Sequence, residues 1–289
     1  MQPNTLTSEQ RDAILDGQGH DPCPGVEIEF KRPLGSAPDS GPDLHATIYR
    51  PSERPATPAP AMLAFHGGGY GGGDPNGCGA IAKQLAAAFG ITTVSASYRL
   101  ATEEASTYPG ILADAVHAYR WMVAQAGALD IDPQRIIVSG ESAGVVHAAH
   151  LAVASPLVGL SEEEPRPAAF IAQWGCMDFI ARWFDNNENP GSERVLLGGS
   201  YDQIPQRYAE SSPIAYATGT LPPALFIYGR QDPIVHARQG QLSHAAWQAA
   251  GAHSELAIIA NIGHCTEGDN RDSNAKRLQK ITDFVAARV

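Results

Sequence analysis

The sequence predicts an α/β protein with a mainly parallel central sheet flanked by helices. Three observations lead there. From Ala61 onward, short apolar strands alternate with helical stretches, the rhythm of repeated βα units whose crossovers cover both faces of a sheet. The apolar run Ile136-Ile137-Val138 leads directly into Gly140-Glu141-Ser142-Ala143-Gly144 and then into a helix of small residues, a strand–turn–helix order with a serine at the turn. A second strand, Ala61–Phe65, leads directly into a glycine loop, His66-Gly67-Gly68-Gly69-Tyr70-Gly71-Gly72-Gly73. The 289 residues suit one large α/β domain, and residues 1–289 are read as a single domain.

The elements follow in order. Residues 1–25 form a polar N-terminal leader segment with a short helix at Ser8–Leu15. Val26–Lys31 and Leu44–Tyr49 alternate apolar and polar residues, as in an antiparallel hairpin, joined by the turn-rich stretch Gly35–Pro42. After the proline-rich loop Pro51–Pro60 come strand Ala61–Phe65, helix Gly77–Phe89, strand Ile91–Ser97, helix Pro109–Ala126, strand Arg135–Ser139, helix Ala143–Ala154 and strand Ala168–Trp174. The closing units are strand Ala224–Tyr228, helix His236–Ala250, strand Glu255–Ile259 and helix Asn270–Ala287. Between them, Met177–Pro223 breaks the rhythm. Long irregular stretches inside compact domains are often functional, so residues 177–223 are read as a small lid or pocket insertion, with a solvated surface insertion as the alternative.

Composition narrows the function classes. A net charge of −11 without a basic stripe argues against nucleic-acid binding. The polar first ten residues lack the apolar core of a signal peptide, and no run of about 18 apolar residues occurs, so a soluble, cytoplasmic protein without membrane contact is expected. Cys23, Cys78, Cys176 and Cys265 are far apart in the chain and form no Cys-x-x-Cys. Free thiols are expected, and no metal site.

The two motifs carry the chemistry. A serine hydroxyl is a weak nucleophile until a base takes its proton, and the base needs a carboxylate to hold its tautomer. In this strand–turn–helix setting the chain order is serine, acid, histidine. Asp232 lies just past the strand that ends in Ile227-Tyr228, and His264 just past the next one, where strand ends face a common crevice. His264 is favoured among ten histidines because it alone follows a strand after the acid. Asp178 is the rival acid, with a capping or turn carboxylate as its other reading. The glycine loop supplies backbone N–H donors for an oxyanion: Gly68 and Gly69, with Ala143 as the third. A phosphate cradle is disfavoured, since no Gly-Lys-Ser/Thr follows the loop.

Taken together, His66-Gly67-Gly68-Gly69, Ser97-Tyr98-Arg99-Leu100-Ala101, Tyr108-Pro109, Asp114, Asp132-Pro133-Gln134-Arg135 and Gly140-Glu141-Ser142-Ala143-Gly144 resemble the hormone-sensitive-lipase-type α/β-hydrolases. Leu196-Leu197-Gly198-Gly199, Ser212-Pro213, Asp232-Pro233 and Gly263-His264 resemble the related feruloyl-esterase-like branch. The resemblance covers roughly residues 45–285. It implies an α/β-hydrolase fold and carboxylic ester hydrolysis through Ser142, Asp232 and His264. It also implies the possibility of a homodimer built through the last strand and helix. The departures, Thr102 where the family carries proline and Val145-Val146 where a small residue is common, bear on pocket shape rather than on the triad.

The expected activity is therefore a serine carboxylesterase acting on short-chain or aryl esters, with no metal or organic cofactor required. Tyr70, Trp174, Trp183 and Phe184 are candidate pocket residues, with Tyr98 and Tyr201 beside them; plain packing is the alternative for each. An amidase or formamidase would use the same triad. A peptidase of this fold, or an inactive ligand-binding relative, are the remaining alternatives. The physiological ester is left open.

Overall fold

The computed structural model describes residues 1–37, 41–187, 191–265 and 271–289. Eight strands form one sheet: β1 (Val26–Ser36), β2 (Asp43–Pro51), β3 (Ala59–Phe65), β4 (Thr92–Ala96), β5 (Ile131–Glu141), β6 (Ala169–Gln173), β7 (Ala224–Gly229) and β8 (Ser254–Ile259). Their spatial order is β1-β2-β4-β3-β5-β6-β7-β8. β1–β2 and β2–β4 pair antiparallel, and every later pair is parallel. The expected hairpin and the parallel βα region are both present.

The parallel strands read as apolar runs because both faces are covered. β3, β4, β6 and β7 are buried along their whole lengths. Helix α1 (Ser8–Leu15) packs with α2 (Gly79–Phe89) and with α10 (Arg271–Arg288) in one layer, while α3 (Gly110–Ala124) packs with α5 (Val145–Ala152) in another. α1 matches its expected bounds because a capping box fixes its start. Thr7 Oγ1 accepts from the Gln10 amide while the Gln10 side chain accepts from the Thr7 amide.

Several boundaries differ from expectation. The helix expected over Pro109–Ala126 divides at Gln125 into α3 and a single turn, α4 (Ala126–Leu129). The helix expected at Ala143 starts as a 3₁₀ turn, Ser142–Gly144, before α5. The largest difference is the 177–223 stretch. It is built from three short helices, α6 (Phe179–Asp185), α7 (Ser192–Leu197) and α8 (Pro205–Ser211), with a 3₁₀ turn at Pro213–Tyr216. Each is six or seven residues long, too short to show a period in sequence, and each relies on a local stop or start signal. Asp178 caps α6, left-handed Gly198 closes α7, and Pro205 opens α8. Residues 188–190 of this stretch lie outside the described residues, as does Asn270, the expected start of the last helix. The last helix of the chain, α10, follows α9 (Arg238–Ala249) and β8.

Among the described residues, the four cysteines form no disulfide. Among the described residues, no helix is long and apolar enough to cross a membrane.

Candidate active site

β5 ends at Glu141, and the chain turns sharply at Ser142, whose φ of +50° lies in the left-handed region that residues with side chains avoid. Such a conformation costs of order 1–3 kcal/mol and persists only where surrounding packing enforces it. The flanking glycines show how. A Cβ on Gly140 would run into the backbone of Gly144 and Val145, and one on Gly144 into the carbonyls of Phe65 and His66 at the end of β3. The turn is wedged between β5, the start of α5 and the glycine loop, and Ser142 is presented at its apex.

The loops after β7 and β8 bring two side chains to that apex. Ser142 Oγ lies 2.8 Å from His264 Nε2, and His264 Nδ1 lies 2.8 Å from Asp232 Oδ2. The remaining carboxylate oxygen, Asp232 Oδ1, accepts from the Ile234 and Val235 amides, each at 2.8 Å. The Asp232 side chain is fully buried and that of His264 is 12% exposed, so the acid is shielded while the imidazole reaches the crevice. In this arrangement Nδ1–H donates to the carboxylate and Nε2 is left to accept from the serine hydroxyl.

The rival residues are engaged elsewhere. Asp178 Oδ1 accepts from the Ile180 and Ala181 amides at the start of α6, which makes it a helix cap. His147 is fully buried against Phe65 and Tyr98, and neither ring nitrogen has a hydrogen-bond partner among the described residues. Burial holds it neutral and lowers its pKa to about 3, with the charge of His66 adding to the shift. His150, buried on the same helix, bonds Ser155 Oγ and the Ser211 carbonyl, and burial lowers it to about 4. His66 turns back onto the Gly67 carbonyl and stacks on Tyr98, whose hydroxyl donates to the His66 carbonyl at 2.8 Å. These contacts brace the first residue of the glycine loop.

Gly68 and Gly69 both have positive φ, +130° and +58°, which glycine alone adopts readily. Gly68, Gly69, Tyr70, Ser142, Ala143 and His264 all line one cavity of about 290 Å³. The three expected amide donors thus share a space with the serine and the histidine. Its other walls are Cys176, Arg182, Ser192, Glu193, Ile234, Val235 and Cys265. Of the aromatic candidates, only Tyr70 is in this lining. Trp174 is 1% exposed and packs beneath the guanidinium of Arg277. Trp183 is buried against Tyr201 and Tyr208, and Phe184 is 52% exposed against Tyr201. Tyr98 braces the loop from behind.

Two features were not anticipated from sequence. One is the ion pair Arg182–Glu193 in the cavity wall, Nε to Oε1 at 3.1 Å, with both residues buried. Its sequence signal is an arginine inside the otherwise apolar Phe179-Ile180-Ala181-Arg182-Trp183-Phe184. The other is a buried network behind the serine. Arg277 on α10 donates to Gln173 Oε1 at 2.7 Å, to Asn274 Oδ1 at 2.7 Å and 2.9 Å, and more weakly to Glu141 Oε1 at 3.4 Å.

The sheet order, the glycine-flanked serine turn and the serine–histidine–aspartate line define an α/β-hydrolase. Known proteins agree. A family model described as BD-FAE matches residues 46–246. The chain is 27% identical over 267 residues to the ethyl acetate hydrolase of Pseudomonas putida, covering 89% of this chain and 80% of that one. It is 27% identical to the esterase LipQ of Mycobacterium tuberculosis, covering 82% of this chain but only 57% of the relative. The propionate-bound form of a thermophilic esterase from Thermogutta terrifontis superposes with a TM-score of 0.70 at 25% identity, covering 91% of this chain and 94% of that one. The chain belongs to the BD-FAE family and is a hormone-sensitive-lipase-type carboxylesterase of the α/β-hydrolase superfamily.

Proposed function

We propose that the protein hydrolyses small carboxylic esters through an acyl-enzyme on Ser142, with His264 as base and acid and Asp232 as the group that orients it. The observation that carries this reading is the unbroken line of two 2.8 Å hydrogen bonds from Ser142 Oγ through His264 to Asp232. His264 Nε2 takes the serine proton as Oγ attacks the ester carbonyl carbon. The carbonyl oxygen gains the negative charge, and the amides of Gly68, Gly69 and Ala143 are the donors placed to receive it. Collapse of the tetrahedral intermediate breaks the C–O bond, and His264 gives its proton to the leaving alcohol. Water then repeats the sequence on the acyl-serine, releasing the acid and restoring the hydroxyl.

The cavity volume of about 290 Å³ supports short chains, since sites for drug-sized ligands begin near 300 Å³. The propionate-bound and ethyl acetate-hydrolysing relatives support the same size class. Four cysteines that form no disulfide among the described residues suit a reducing compartment, which supports a cytoplasmic setting. The test is hydrolysis of p-nitrophenyl esters from acetate to palmitate by the wild type and Ser142→Ala. Rates that fall with chain length and vanish in a folded variant support the reading. Near-wild-type turnover by Ser142→Ala removes it, and turnover of matched anilides in preference to esters makes the protein an amidase instead.

A further inference from the structure

The cavity that holds Ser142 is mostly apolar, but a few buried polar side chains interrupt its wall. Tyr70, Arg182 and Glu193 line it while being only 2%, 6% and 5% exposed. Among the described residues, the Arg182 side chain makes one hydrogen bond, from Nε to Glu193 Oε1. Its two terminal nitrogens, the Tyr70 hydroxyl and Glu193 Oε2 form none, and all three residues line the cavity. Ser192 adds a further hydroxyl beside Gly69, close to where an ester carbonyl would sit. Charged and polar groups this deeply buried are normally matched by partners within the protein, by ordered water or by a ligand. Here the residues that carry these donors and this acceptor line the same cavity as the reacting serine.

We infer that the part of the substrate buried in this cavity carries its own hydrogen-bonding oxygen, a hydroxyl or oxo group, and that Arg182, Glu193 and Tyr70 select for it. The inference rests on the ester hydrolase reading above and names the substrate class for that site. The internal pairing of Arg182 with Glu193 sets the preferred charge. The guanidinium is already neutralised, so a substrate carboxylate would meet Glu193 as a like charge, whereas a hydroxyl can accept from Arg182 or Tyr70 and donate to Glu193. A plain alkyl chain in the same place would leave the Arg182–Glu193 pair intact but give its remaining polar atoms and the Tyr70 hydroxyl no partner. Sites built to bond a substrate hydroxyl discriminate far more strongly against its absence than apolar pockets discriminate against its presence.

The experiment compares hydroxyl and methyl isosteres in one enzyme. Ethyl 3-hydroxybutyrate against ethyl 3-methylbutyrate places the oxygen on the acyl side, and 2-hydroxypropyl acetate against isobutyl acetate places it on the alcohol side. The wild type is expected to favour the hydroxyl ester in kcat/KM by about tenfold or more in one pair, which also identifies the side of the ester that the cavity holds. In the double variant Arg182→Met/Glu193→Met, and separately in Glu193→Gln, that ratio should fall; in the double variant it should drop to about one or below. A ratio taken within one preparation does not depend on how much of the variant is folded. Equal or greater rates on the methyl ester in both wild-type pairs overturn the inference, as does an unchanged ratio in the variants. Absence of turnover on every ester, p-nitrophenyl acetate included, would instead overturn the hydrolase reading itself.

Discussion

Asp232 has two separable tasks, and two substitutions distinguish them. Its Oδ2 holds the Nδ1–H of His264, and its Oδ1 ties down the loop after β7 through the Ile234 and Val235 amides. Asp232→Asn can keep the Oδ1 bonds, but then presents an N–H₂ group to Nδ1. The imidazole must adopt the other tautomer, with a proton on Nε2 where it should accept from Ser142. The expected loss in kcat is about 10⁴-fold with the loop intact. Asp232→Ala removes the loop bonds as well. Val235 is buried, so its amide is left without a partner, while the half-buried amide of Ile234 can turn to water. The expected stability cost is about 1–3 kcal/mol, for one buried orphan donor. The assay is p-nitrophenyl acetate turnover together with urea denaturation for both variants. Both should lose activity alike, and Asp232→Ala alone should lose stability. Asp232→Asn turning over within tenfold of wild type would rule out this role for Asp232, as would an equally severe loss in Asp178→Asn, whose side chain should only cap α6.

Two further predictions concern stability. Arg277→Met withdraws a buried cation from Glu141, Gln173 and Asn274 and should cost about 3 kcal/mol in urea denaturation, the lower end for breaking a buried pair because the contact with Glu141 is long; pairing it with Glu141→Gln should recover part of that loss. His147 and His150 are neutral in the fold, with pKa values near 3 and 4 against 6.5 for the free side chain. Between those values the unfolded chain binds protons that the native state refuses, so stability falls as pH drops below 6.5, by roughly 2 kcal/mol per histidine at pH 5. His147→Phe should flatten the stability–pH profile between pH 6.5 and 5, and an unchanged slope would contradict the assignment.

Much of this site was legible because its chemistry is tied to strand ends. Ser142, Asp232 and His264 each follow an apolar strand, and parallel strands deliver such positions to one edge of the sheet whatever lies between them. The glycine loop was legible for the same reason, and because few other residues tolerate the backbone of Gly68 and Gly69. The cavity wall was not. Helices α6 and α7 carry Arg182 and Glu193, but six- or seven-residue helices have no readable face, so sequence could not say which side chains turn inward. Trp174 and Trp183 are large and buried away from the cavity and Phe184 is half exposed, so aromatic bulk alone does not say which side chain lines a pocket. The supporting role of Arg277 was hidden for a related reason. It lies 135 residues beyond Ser142, and only the packing of α10 brings it beneath the turn.

Ester hydrolysis by this protein turns on Ser142 as the nucleophile, activated by the line of hydrogen bonds behind it. The most direct measurement is the intact mass and peptide map of the protein after reaction with paraoxon, which phosphorylates activated serines. A single diethylphosphoryl adduct on Ser142 is expected, formed in step with loss of esterase activity and absent from Asp232→Asn on the same timescale. Modification of another residue, or full inactivation with Ser142 unmodified, would contradict it.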